Sequence, residues 1–186
     1  ALLAPLMSAP PAAAAVTFVD TLAGRSTAAM YPSGMEYDAV NDRLVVADTG
    51  LDRVLIYSLS GNKLDEFGTY GNGDGQFKSP RDVAVDEAGN IYVADVENGR
   101  IKKYDSNGVH QWSTDNGNPV SYTCPTCLNT PIGLTWDALN DKLLVSSTGQ
   151  NRVKAFDASG AFIWQSPPLG GSTSPLPLAD QSRGLR

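Results

Sequence analysis

An all-β fold built from repeated four-stranded sheets is what this sequence predicts, and three observations carry the prediction. The chain repeats: "RLVVADTGLDRVLIYSLSGN" (43–62), "NIYVADVENGRIKKYDSNGV" (90–109) and "KLLVSSTGQNRVKAFDASGA" (142–161) write one pattern three times, with Arg53, Arg100 and Arg152 spaced by 47 and then 52 residues. Each unit holds four short β-type runs, which in the second unit are "DVAVD", "NIYVAD", "RIKKYD" and "VHQWS". The junctions "EAGN", "DSNG", "SLSGN" and "DASGA" supply the Gly, Asn and Ser that tight turns need. No segment offers a ten-residue apolar stripe at helical spacing. Four strands in a unit of roughly 45–50 residues are the signature of a β-propeller blade.

The elements follow in order. Residues 1–15, "ALLAPLMSAPPAAAA", resemble the apolar core and small-residue end of a secretory signal. Too short and proline-interrupted for a good membrane span, they are expected to form an apolar arm, held down, in a secreted protein. "VTFVDTLAG" (16–24) reads as a spare outer strand, because Phe18 precedes Pro32 by 14 residues much as Phe67 precedes Pro80 by 13. Complete repeats are expected over about 31–77, 78–128 and 129–180, within a propeller domain spanning 16–186. Inside them "LVVA" and "LLVS" are continuous apolar runs suited to strands buried on both faces, and "RIKKY" alternates. "PPLGGSTSPLPL" (167–178) reads as an extended linker, and "QSRGLR" (181–186) as the start of a fourth unit, with Gly184-Leu185 matching Gly133-Leu134.

"GNGDGQFKSPRDVAVDEAGNIYVADVENGRIKKYDSNG" (71–108) resembles the NHL repeat family of β-propellers. That pattern runs through G-x-G-x-G-x-F, then P-x-x-[IV]-[AV]-[VL]-D-x-x-G-N-[IL]-[YW]-V-A-D, then N-x-R-[IV]. The second unit matches nearly throughout and the first closely. The third departs, with Ser146 and Ser147 replacing the Ala-Asp pair and no Gly-rich link before Pro131. The resemblance implies the fold for about 16–186 and says little about activity, because this fold hosts many unrelated functions. Similar propellers include a peptide-amidating lyase that uses zinc and lactonases that use a divalent cation.

The residues weigh against that chemistry. A catalytic zinc takes three protein ligands, most often His, and the chain has one, His110, on an expected outer strand. A Ser-His-Asp triad would have to use the same residue. Asp48 and Asp95 end equivalent strands while Ser147 holds the third position. They are expected to bond turn backbone or to pair with Arg53 and Arg100, so that Arg152 needs a different partner and these residues serve the blades. Phe67, Trp112 and Trp164 occupy one repeated place in the fourth strands and are expected to pack between blades, as is Phe77. "GNGDGQFKSP" (71–80) is expected to be a hinge between blades: a phosphate cradle needs a helix behind it, and calcium at Asp74 lacks alternating acidic ligands. Cys124 and Cys127 form either a small local disulfide or two free thiols.

The net charge is −6, from 14 Lys plus Arg against 20 Asp plus Glu, with no basic run. Nucleic-acid binding is therefore set aside. No cofactor and no metal are expected. The tally of one spare strand, three blades and one opening strand leaves unpaired edges. The expected function is a non-enzymatic, secreted scaffold that self-associates into a ring or filament through Leu2, Leu3, Leu6, Val16, Phe18, Val19 and Leu185. Two alternatives remain open: a sensor module of a longer cell-envelope protein, and a propeller lyase or lactonase whose site lies elsewhere.

Overall fold

The computed structural model describes residues 31–114 and 126–169. The arm at 1–15, the strand expected at 16–24 and the opening strand at 181–186, with Leu2, Leu3, Leu6, Val16, Phe18, Val19 and Leu185, lie outside the described residues, as does Cys124. The described chain forms three four-stranded antiparallel sheets. Blade 1 contains β1 (Pro32–Asp38), β2 (Arg43–Asp48), β3 (Arg53–Ser58) and β4 (Lys63–Phe67). A short parallel pair follows, β5 (Thr69–Tyr70) with β6 (Gln76–Phe77). Blade 2 holds β7 (Pro80–Val85), β8 (Ile91–Asp95), β9 (Arg100–Tyr104) and β10 (His110–Ser113); blade 3 holds β11 (Pro131–Asp137), β12 (Lys142–Ser147), β13 (Arg152–Asp157) and β14 (Phe162–Gln165). Two 3-10 turns, Thr49–Leu51 and Thr148–Gln150, are the helical content of the described residues. These are the blades of a β-propeller, and among the described residues they do not close a ring.

Alternation sorts each blade's side chains onto two faces. Val45, Ala47, Val54 and Ile56 of blade 1 meet Phe77, Val83, Ile91, Val93 and Tyr104 in one buried cluster. The opposite face of blade 2, with Ala84, Tyr92, Ala94 and Ile101, meets Leu143, Val145 and Phe156 of blade 3 in a second. A middle strand is apolar throughout because both of its faces are covered: all five residues of β8 are buried. The inner strands lie side by side, tied by Ser33 Oγ donating to the Arg81 carbonyl (2.6 Å) and the Leu134 amide donating to Asp82 Oδ2 (2.7 Å).

The turns are written by short polar side chains. Asp38 and Asp137 end their inner strands and Asp86 directly follows β7; their carboxylates accept from the amides of Val40 and Asn41, of Leu139, and of Ala88 and Asn90 respectively. Asp38 also accepts from Asn41 and Arg43 side chains, which hold its carboxyl below the ordinary range although burial pushes it up. The turns before the outer strands share one geometry: Gly61, Gly108 and Gly160 have φ of 85°, 77° and 84°, and their amides donate to Ser58, Asp105 and Asp157 carbonyls. That region suits glycine.

The aromatic places needed correction. Trp112 and Trp164 are equivalent, opposite Lys103 and Ala155, but Phe67 lies opposite Val54, two residues further along its strand. Counting from the end of the outer strand hid this, because the register is set at the turn: Lys63, His110 and Phe162 are the true counterparts, facing Tyr57, Tyr104 and Phe156. A two-residue step keeps the same face, so Phe67 still packs toward blade 2, with ring centroids 4.8 Å from Tyr104 and 6.2 Å from Phe77.

Asp86 is the most heavily used turn carboxylate, accepting also from Asn90 Nδ2 and the buried Tyr92 hydroxyl (3.0 Å). Asp86→Ala leaves that hydroxyl and two amides without an acceptor. We expect a loss of about 2–4 kcal/mol in urea unfolding, with the spectrum of the native state retained.

Candidate functional site

The side chains singled out by the repeats converge on the linkers between blades. Asp95 ends β8 fully buried; its Oδ1 accepts from the Lys78 amide (2.7 Å) and its Oδ2 from Arg100 Nε (2.8 Å). Asp48 does the same in blade 1, taking the Tyr31 amide (3.1 Å) and Arg53 Nε (3.0 Å). In blade 3 Ser147 Oγ accepts from the Asn129 amide (3.1 Å) and donates to Gln150 Oε1 (2.9 Å), while Arg152 turns to the Ser166 carbonyl. The common task is to hold the amide just before an inner strand. A carboxylate brings an arginine with it; a serine does the task without charge.

The Gly-rich loop is held from the next blade. Lys102 of β9 is buried, and its Nζ donates to the carbonyls of Gly73, Asp74 (2.8 Å) and Gln76 (2.8 Å). The Tyr104 hydroxyl donates to the Asp74 carbonyl (2.6 Å), and Arg100 Nη2 to that of Asn72 (2.8 Å). A phosphate cradle presents N–H groups to an anion; this loop presents carbonyls to a cation that the chain itself supplies. Burial, with Arg100 nearby, pushes the Lys102 ammonium down to about 8, against the pull of Asp95 and Asp74. Lys154, its counterpart in blade 3, donates to the Cys127 carbonyl and is likewise pushed down to about 8 by burial. Blade 1 has Leu55 at that position. The sequence reading missed these lysines because alternation in "RIKKY" says which residues share a face, not that a face is covered. The signal available was Lys at the same place in two of three repeats.

Three side chains with catalytic names do meet at the edge of blade 2. His110 Nε2 lies 2.8 Å from Ser113 Oγ, and Nδ1 lies 3.8 Å from Asp74 Oδ1. Burial lowers the imidazole pKa and favours the neutral ring. A triad needs a buried acid hydrogen-bonded to Nδ1; 3.8 Å is too long for such a bond, and Asp74 is 81% exposed. A bulge at the start of every outer strand brings residues three apart together. The same places hold a Lys63–Glu66 ion pair of 3.1 Å in blade 1, and Phe162 with Gln165 in blade 3. On the inner strands, burial raises the carboxyl pKa of Asp82, and burial with the Asp82 charge raises that of Glu36. Among the described residues no three of His, Cys, Asp and Glu are grouped to hold a metal. Cys127 is disulfide-bonded.

The model of the NHL repeat family matches residues 77–104, from Phe77 of the linker through β9. That match takes in 28 of the chain's 186 residues. Over 83 residues it is 39% identical to NHL repeat-containing protein 2 of Gallus gallus and 40% identical to that of Homo sapiens; each match covers 41% of this chain and 11% of the relative. The chain thus spans about a tenth of the curated relatives' length. Solved structures share its fold at low identity. A catalytically inactive virginiamycin B lyase from Staphylococcus aureus with quinupristin aligns over 73% of this chain and 40% of that one, at TM-score 0.57 and 16% identity. A chain of a nidogen/laminin complex covers 73% and 49%, at 0.56 and 17%. Hydrazine synthase of Kuenenia stuttgartiensis covers 80% and 39%, at 0.57 and 11%. At such identities they show blades and leave activity aside.

Two outcomes test the linker clamps. Lys102→Met removes the shared donor to three loop carbonyls, and we expect it to lose about 2–3 kcal/mol in denaturant unfolding. The folded chain releases this proton near pH 8 and the unfolded chain near 10.5. Between those values the unfolded state binds more protons, so this group makes stability rise with pH; the rise should be shallower in Lys102→Met. Asp95→Ala should lose about 2–4 kcal/mol by leaving the Lys78 amide and Arg100 without their partner. Asp95→Ser keeps an oxygen for that amide, as Ser147 does for Asn129, and should lose clearly less in the same assay.

Proposed function

We propose that the chain is a non-catalytic protein-interaction module of a secreted scaffold, and that its partner is itself. The observation that carries this reading is Trp164. Its counterpart Trp112 is covered by blade 3, with Trp112 Nε1 donating to the Ala158 carbonyl at 3.1 Å, whereas Trp164 is 41% exposed on the outer strand of blade 3. Among the described residues no blade follows this strand, and an open blade face invites association. The disulfide at Cys127 supports an oxidising compartment outside the cell. That the recurring Asp, Lys and Arg groups are spent on linkers in successive blades supports a structural role over a single reaction centre. A second reading, a binding module within a longer envelope protein, draws on the small share of its relatives that the chain spans.

Sedimentation of the purified chain tests the proposal: it predicts species heavier than a monomer that grow with concentration, and micrographs showing rings or fibres. A monomer at every concentration would contradict it. Removing residues 1–15 should abolish assembly; an unchanged sedimentation profile would remove the arm from the account.

A further inference from the structure

The three repeats form two inter-blade contacts and contain the halves of a third. In each formed contact an aromatic from one blade's outer strand covers the glycine in the last turn of the next. A Cβ on Gly108 would stand 3.0 Å from the Phe67 ring, and one on Gly160 3.0 Å from the Trp112 ring. Trp112 adds its indole N–H bond to the Ala158 carbonyl in that turn. Among the described residues the unused halves are Trp164 and Gly61. Trp164 has the register of Trp112, and a Cβ at Gly61 would meet nothing within 4 Å among the described residues. The receiving turn has the same hydrogen bond and φ as its two filled counterparts. Leu59, in the place of Ala158, is 55% exposed.

We infer that Trp164 of one copy docks on the turn Ser58–Gly61 of a second copy, its ring over Gly61 and its indole N–H donating to the Leu59 carbonyl. The inference rests on the self-association proposed above and names the contact that makes it. Among the described residues the donor and the receiver lie on the first and last blades and do not meet, so the contact is head-to-tail and leaves one donor and one receiver over in every pair. Such a contact propagates until it closes into a ring or runs on as a filament. Polar residues surround the turn, with Ser58, Ser60 and Asn62 bonded among themselves, which leaves the glycine face as its apolar landing point.

Sedimentation of Trp164→Ala, Gly61→Asn and their mixture tests this. Asn tolerates a positive φ, and its side chain occupies the landing point. Each variant alone should assemble at least about tenfold more weakly than the wild-type chain, the weight usual for a buried Trp anchor. Mixed, they should form a heterodimer that grows no further, since one supplies the only Trp164 and the other the only open turn. Both positions are exposed; circular dichroism checks folding, and either variant reports on the contact if the other does not fold. Wild-type assembly that both folded variants retain would overturn the contact and leave self-association standing. Loss of assembly in Phe18→Ala with Trp164→Ala unaffected would assign the turn to the chain's own N-terminal strand and also overturn it. A wild-type chain that is monomeric throughout would overturn both.

Discussion

The constraint on which the rest of this structure depends is that a blade cannot bury both faces alone. β8 is buried along its whole length only because blade 1 covers one face and blade 3 the other. The chain between blades therefore has to be placed as firmly as the strands. Buried side chains do this from the blade ahead: Asp95 takes the Lys78 amide, and Lys102 and Tyr104 take the carbonyls of the glycine loop. A buried ammonium or carboxylate is tolerated only with its bonding capacity filled, and the linker backbone fills it. Charge and backbone each solve the other's problem.

The fold was legible in the sequence because its period is long and its turns are chemically explicit. Three copies of one pattern gave the strand count, and Asp, Asn and Gly at the junctions gave the turns. What was not legible follows from physics that alternation does not encode. The outer-strand register is set by a bulge next to the turn, which moved Phe67 two places from the position counted from the strand's far end. The burial of Lys102 depends on a loop some 28 residues earlier folding over it. The geometry of the candidate site was not legible: His110, Ser113 and Asp74 meet in space, and only their distances and the exposure of Asp74 separate a strand-edge cluster from a triad.

The departures of the third unit are informative in this light. Ser147 shows that the linker amide needs an oxygen and not a charge, and Arg152 without a carboxylate turns to the backbone at Ser166. Leu55 in the first unit stands where the other two carry lysine, and those two lysines donate to carbonyls of the linkers before their blades. Variation of this kind, consistent within a blade and different between blades, fits a repeat protein whose stability is a sum of local units and interfaces.

The central claim is that the glycine loop is ordered by the protein's own buried cation rather than by a ligand. Hydrogen exchange of the ligand-free protein, resolved to single amides, tests it most directly through Lys78, Gly71 and Gln76, whose N–H groups bond to Asp95, Phe77 and Gly73. The account predicts protection at Lys78 comparable to the strands of blade 2, lost in step with them. Free exchange at all three amides while β8 and β9 stay protected, with protection restored by added calcium or phosphate, would contradict it.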